Sequence, residues 1–346
     1  MRALTIDAHG GLERLRFRDD IAEPSLGADT DVRVRLRAAA LNHVDLWVLE
    51  GIPGIKLVPP WTMGSDGMGI VDAVGPAVTR VRVGDTVMIN PGISDRTCDY
   101  CVSGDNPLCL QFKLLGEHRP GTLTEYIVVP EANARVVPAD VNPESAAAHS
   151  LAALTAWRMC VTRARVGPGD EVLIWGIGGG VAQMALQICK ARGARVWVTS
   201  SSDEKLERAR TLGADVLLRH GPGIDIGKEV RAQTGKRGVT VVLDSIGTDT
   251  WAQSLGALGK RGRLVTCGGT SGPMVETDIR RMFWNQWTLM GSTMGSDAEY
   301  DAVVAEFLAG RLVPTVDSIH PLERAADAFA RLASGAHFGK VVVRIS

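Results

Sequence analysis

The stretch Glu171-Val-Leu-Ile-Trp-Gly-Ile-Gly-Gly-Gly-Val-Ala-Gln-Met-Ala-Leu-Gln187 decides how the rest of the chain is read. A short apolar run is cut by four glycines within five residues, and an apolar pattern of helical period follows. This is the order of a buried strand, a tight turn and a helix. Gly176, Gly178, Gly179 and Gly180 let the backbone approach a pyrophosphate, and the free N–H groups from Gly180 and Val181 onward face its charge at the helix start. On the helix, Val181, Met184, Ala185, Ile188 and Cys189 share one face, so Cys189 reads as core.

Working outward, strands and helices alternate: strand 171–175, helix 181–192, strand 195–199, helix 203–212, strand 215–219, helix 225–234, strand 239–243, helix 249–258, strand 262–266 and a last strand at 288–291. Repeated units of this length predict an α/β, doubly wound parallel sheet with helices on both faces. Before it, Asp31 to Arg37 alternates as a half-buried strand does, and short strands at 69–75, 84–90 and 121–129 make residues 1–140 β-rich. After it come helices at 298–309 and 322–332 and the strand 340–345. A chain that leaves one domain, builds a nucleotide fold and returns predicts residues 1–140 and 295–346 as one domain and 141–294 as the other, with ligand bound in a cleft.

The 346 residues carry a net charge of −1, which gives no electrostatic reason for a nucleic-acid or membrane partner; a small-molecule substrate is expected. No apolar run has bilayer length, and the N-terminus reads as a strand rather than a leader, so a cytoplasmic protein is expected. Three of six cysteines cluster at 98, 101 and 109, a pattern of metal binding in a reduced compartment.

The turn does not complete a G-x-G-x-x-G fingerprint, for after Gly176 and Gly178 the third glycine would fall on Val181. Its register Ile177-x-Gly179-Gly-Val-Ala182 instead resembles the A-x-G-G-V-G turn of quinone reductases in the medium-chain dehydrogenase/reductase superfamily. Ala40-Leu-Asn-His-Val-Asp-Leu46, Gly64-Ser-Asp-Gly-Met-Gly-Ile-Val71, Gly121-Thr-Leu-Thr-Glu-Tyr126, Leu154-Thr-Ala-Trp157 and Gly339-Lys-Val-Val-Val343 extend the resemblance over nearly the whole chain. It implies a Rossmann sheet inserted into a β-rich GroES-like catalytic domain, and a homodimer or homotetramer. It also implies cofactor contacts from His43, Thr155 and Gly268. The alcohol dehydrogenase zinc lobe, C-x2-C-x2-C-x7-C, falls here on Asp95, Cys98, Cys101 and Cys109, and a carboxylate can replace a thiolate at zinc. One structural zinc is therefore expected.

At the positions of the three catalytic zinc ligands of that family stand Asn42, Ser65 and Leu151, and the proton-relaying hydroxyl falls on Val44. Without a Lewis acid, conjugate reduction of a quinone, enone or enoyl substrate is easier to support than alcohol oxidation, since its charge is delocalised. Asn42 is the candidate donor to the substrate oxygen, and bracing of its own loop is the competing role. An unconventional metal site from His43, Asp45, Asp66 and His149 would restore alcohol dehydrogenase activity; a low-turnover NADPH-binding sensor is the reading from another class. Trp47, Trp61 and Trp284 are candidates for an apolar pocket or for the core.

The acidic residue that NAD-binding folds place after the second strand is replaced by Ser200. Ser200, Ser201, Ser202 and Lys205 could take a 2′-phosphate, which points to NADP(H). Ser201 with Glu204 also reads as a capping box.

Overall fold

Alternating periodicity becomes a six-stranded sheet in the unit Ala153–Met294 of the computed structural model, which describes residues 1–346. The strands run in the order Val216–Arg219, Arg195–Ser200, Glu171–Ile174, Val239–Asp244, Leu258–Thr266, Thr288–Gly291, and every pair is parallel. Parallel strands covered on both faces are apolar throughout, as Val196, Trp197 and Val198 and then Val241, Val242 and Leu243 illustrate. The order reverses between Glu171–Ile174 and Val239–Asp244, so the crevice at their carboxyl ends is where a ligand is expected.

The helices of this unit carry their own start signals. Asp225 accepts from the Lys228 N–H ahead of Ile226–Gln233, and Asp278 from Arg280 and Arg281 ahead of Ile279–Asn285. The helix Asp203–Thr211 is capped by Ser202, which accepts from the Lys205 N–H, so the cap lies one residue beyond the expected Ser201 box. Ser200 Oγ in turn accepts from the Ser202 N–H at 3.1 Å, which draws the serine turn tight and moves the cap along. Cys189 is fully buried on Gly180–Ala191, as its place on the apolar face predicts.

The other unit comprises Met1–Ala152 and Gly295–Ser346. The first junction thus falls inside the helix Pro143–Trp157 rather than at 140. The main sheet of this unit runs Ala134–Val136, Thr86–Ile89, Asp66–Val74, Asp31–Ala40, Lys340–Arg344, Val316–Pro321, and Tyr126–Pro130 also pairs with Asp31–Ala40. Val32, Val34 and Leu36 of the alternating strand point into a core shared with Val341, Val343 and Phe329. The helix His43–Glu50, which the sequence pattern did not single out, follows the strand directly.

The register of these strands places the site. Ala40 pairs with Asp66 on one side and with Val342 on the other. The Leu41 N–H continues the ladder to the Val341 carbonyl, so Asn42 arrives opposite Lys340. No helix of the chain is long and apolar enough to cross a membrane.

Candidate active site

The glycine turn has the backbone a pyrophosphate needs. Gly176 has φ +66°, a conformation that favours glycine, and a Cβ there would stand 3.4 Å from Ile246 Cδ1. The turn is held by the Gly176 N–H on Thr199 Oγ1 and the Ile177 N–H on the Thr199 carbonyl. Gly179 is the N-cap of Gly180–Ala191, and the first bond of that helix runs from the Gln183 N–H to the Gly179 carbonyl. The N–H groups of Gly180, Val181 and Ala182 therefore lie outside the helical ladder and, with the positive end of the helix, are available to an anion. Gly178 contributes differently from Gly180 and Val181. It lies in the turn ahead of the cap, half-buried, so its N–H is not one of the donors at the helix start and its contribution is the room a missing side chain leaves. A buried chain supports the facing strand end: Trp175 donates to Ser254, which donates to Asp244, whose other oxygen accepts from Ile246 and Gly247. The turn thus fits a dinucleotide.

The remaining cofactor candidates are spread along the same unit. Ser200 is buried, while Ser201 is exposed. Lys205 stands in the first turn of the following helix. Thr155 is buried on Pro143–Trp157, and the Gly268 carbonyl accepts from Thr266 Oγ1 after the fifth strand of the chain's parallel sheet.

In the lobe, one ligand atom from each of Asp95, Cys98, Cys101 and Cys109 lies within 4.8 Å of the others. Tetrahedral zinc with bonds of about 2.3 Å spaces its sulfurs about 3.8 Å apart, and Cys98 and Cys101 Sγ stand 3.6 Å apart. N–H groups of Asp95 and Gln111 donate to Cys109 Sγ, the arrangement a metal-bound thiolate accepts. The N–H groups of Cys98 and Thr97 hold the Asp95 carboxyl below the ordinary range, and those of Cys101 and Leu110 lower the Cys98 thiol, whereas burial pushes Cys101 up to about 11. Asp95 and Cys98 are thus both shifted toward the charged forms that a dication takes as ligands. Arg96, on the same loop, pairs with Asp297 at 2.7 Å and ties the lobe to the helix Asp297–Leu308. The donor set fits zinc, and it is the one group of three or more metal-ligating side chains that the fold gathers.

The positions Asn42, Ser65 and Leu151 do converge, on carboxylates rather than on an open site. Asp66 is fully buried; one oxygen accepts the Leu151 N–H at 2.8 Å, and the other accepts Asn42 Nδ2 at 2.9 Å and Lys340 Nζ at 3.0 Å. Lys340 also donates to Asn42 Oδ1 at 2.5 Å. Asp45 accepts the Asn42 N–H at 2.7 Å and the Ser65 hydroxyl at 3.3 Å, and burial pushes its carboxyl up to about 7. His43 is held below its ordinary range by burial and by the Lys340 charge.

The unconventional metal set is not assembled. His149 Nε2 donates to the Val303 carbonyl, its ring stacks 4.8 Å from Phe307, and burial pushes it down to about 4. Asp66 is committed to Lys340. Of the three tryptophans, Trp61 takes the core role and donates to the Gly116 carbonyl, Trp47 is half-buried on His43–Glu50, and Trp284 is exposed on the helix Ile279–Asn285. Sequence reasoning missed Lys340, although a lysine opening an otherwise apolar strand is a signal that a charge must be paired.

Known proteins share this organisation. The family of alcohol dehydrogenase GroES-like domains matches residues 28–140, and that of zinc-binding dehydrogenases matches residues 180–309. A solved structure described as an NAD-dependent alcohol dehydrogenase superposes with a TM-score of 0.94 at 42% identity and covers 100% of both chains. A zinc-type alcohol dehydrogenase-like protein of Schizosaccharomyces pombe is 32% identical over 100% of this chain and 99% of its own. A quinone oxidoreductase of Homo sapiens is 26% identical over 97% of this chain and 94% of its own. Likeness that runs the full length in sequence and in backbone makes this chain a member of the medium-chain dehydrogenase/reductase superfamily, zinc-type alcohol dehydrogenase-like, and an oxidoreductase of that type.

Proposed function

We propose that the protein is an NADP(H)-dependent reductase of conjugated carbonyl substrates, of the quinone, enone or enoyl type, that works without a catalytic zinc and carries one structural zinc on Asp95, Cys98, Cys101 and Cys109. The observation that carries this reading is the Lys340 ammonium, bonded to Asn42 and Asp66 beside the position of the first zinc ligand. A cation already neutralises the buried carboxylate there, and a dication would be repelled.

Held at the glycine turn, NADPH would provide the hydride for addition at the β-carbon of the substrate. Negative charge then develops on the carbonyl oxygen and spreads over the enolate. The Asn42 amide has one N–H on Asp66 and one left to donate to that oxygen. Water supplies the proton. Ser200 stands where NAD-binding folds place a carboxylate, and Arg219, in register with Ser200 on the neighbouring strand, is paired with Asp203.

The test is consumption of NADPH and NADH against quinones, enones, enoyl thioesters and, in reverse, alcohols, on protein whose zinc has been counted. Reduction of a conjugated carbonyl with a lower KM for NADPH and one zinc per chain is expected. Chelator-sensitive alcohol oxidation with two zincs per chain would overturn the reading. The names of the relatives make alcohol oxidation with NADH the competing arm.

A further inference from the structure

The amide of Asn42 is oriented by chemistry and not by shape alone. An ammonium only donates, so the atom 2.5 Å from Lys340 Nζ is the amide oxygen; an ionised carboxylate only accepts, so the atom 2.9 Å from Asp66 is the amide nitrogen. Lys340 and Asp66 are 3% and 0% exposed and Asn42 9%, so of the three residues Asn42 keeps the most exposure. Lys340 and Asn42 lie 298 residues apart and meet only through the strand register.

We propose that Lys340 is a positioning residue of the active site: paired with Asp66, it grips Asn42 Oδ1 and so fixes and polarises the second Nδ2–H as a donor to a substrate oxyanion. The role rests on the conjugate-reduction reading above. Withdrawal of electron density through Oδ1 makes the amide proton a stronger donor, and hydrogen bonds to a charged group are about twice as strong as neutral ones. The ammonium acts through the amide, so its removal touches the step in which oxyanion charge develops more than the binding of the ground state.

Two arms separate failure of this role from failure of the functional reading. In the first, asparagine-selective 15N labelling identifies the Asn42 side-chain amide by its loss in Asn42→Ala. Lys340→Met and the charge-neutral pair Lys340→Met with Asp66→Asn are then compared with wild type; the pair keeps the fold where the single change leaves Asp66 unpaired. The Asn42 amide signal is expected to move and its protons to exchange at least about tenfold faster in both. An unchanged signal in a folded variant overturns the proposal, whatever the substrate. In the second arm, with a quinone or enone that wild type reduces, Asn42→Ala is expected to lose about 10²-fold in kcat. The neutral pair should lose at least tenfold in kcat with KM within about twofold, and the three changes together should fall no further than Asn42→Ala alone. Additive losses, or a loss confined to KM, would overturn it. Absence of turnover on every conjugated carbonyl sinks the functional reading instead, and the amide signal then decides the placement of Asn42 by itself.

Discussion

Replacing Asp45 by an asparagine should remove a large part of the pH dependence of folding. Asp45 is 1% exposed, and burial, opposed by the Asn42 N–H and by Lys340, raises its carboxyl from 3.8 to about 7. Below pH 3.8 both the folded and the unfolded chain hold the proton. Between 3.8 and 7 the unfolded chain releases it while the folded chain keeps it, so folding loses stability as the pH rises through that window, and nothing further is lost above it. At about 1.4 kcal/mol per pH unit the whole window is worth about 4 kcal/mol, of which about 3 kcal/mol falls between pH 4.5 and 7. The amide introduced by Asp45→Asn can still accept the Asn42 N–H through its oxygen, and its nitrogen can donate to the Ser65 hydroxyl that Asp45 now accepts from. Any cost of an unpaired N–H, about 1–2 kcal/mol, is the same at every pH. His43 and His149, lowered by burial, act in the opposite direction as they charge on acidification, but they do so in both proteins and cancel in the difference. Urea unfolding followed by tryptophan fluorescence at half-unit steps from pH 4.5 to 8 should show Asp45→Asn gaining about 3 kcal/mol on wild type by pH 7. Parallel curves would refute the reasoning, for they would mean that the carboxyl titrates in the ordinary range and that burial does not govern it.

Other outcomes follow from the same geometry. Lys340→Met leaves the Asp66 charge buried without its cation and should cost about 3–5 kcal/mol, while adding Asp66→Asn should return stability to within about 1 kcal/mol of wild type or above it; equal losses in thermal unfolding would show that the pair is not the cause. Extraction of zinc at neutral pH should expose the segment 95–109 to protease and make Cys98, Cys101 and Cys109 reactive to a thiol reagent, whereas protein purified without metal and indifferent to chelator would dismiss the lobe as a zinc site. Gly176→Ala should cost about 1–2 kcal/mol, because φ +66° is unfavourable for a side chain; fluorescence titration should also show NADPH binding weakened at least tenfold, and unaltered binding would remove the turn from the cofactor site.

What the sequence disclosed and what it hid divide along the range of the interactions. The parallel sheet was legible because each of its strands is an apolar run bounded by its own turn; Thr288–Gly291 is found where the pattern puts it. The lobe was legible because its four metal-ligating side chains lie within fifteen residues, so that local turns are enough to bring them together. The four glycines read alike as letters, and only the position of the helix start separates Gly178, inside the turn, from Gly179 and Gly180, at the cap and the first helical residue. The helix His43–Glu50 was not legible, because its eight residues bury only Asp45, Val48 and Leu49 and present no long apolar stripe; its start is fixed by the Asp45 carboxylate on the Asn42 N–H. The serine cap was misplaced by one residue because Ser200, Ser201 and Ser202 have the same chemistry, and only the bond from the Ser202 N–H to Ser200 Oγ distinguishes them.

The active-site reading changed most where the contact was longest. The resemblance places Asn42, Ser65 and Leu151 at the positions of the family's three zinc ligands, but it says nothing of what these residues do there. The answer lies in the last strand: pairing Val342 with Ala40 carries a lysine to a buried aspartate that the same strand Asp31–Ala40 brings from its other side. A buried ammonium is tolerated because Asp66 balances it, and Asp66 is tolerated because Leu151, Asn42 and Lys340 satisfy its oxygens. Each member is therefore explicable only when the others are present. In the role proposed for Asn42, the bonds that brace its amide are the same bonds that would aim it.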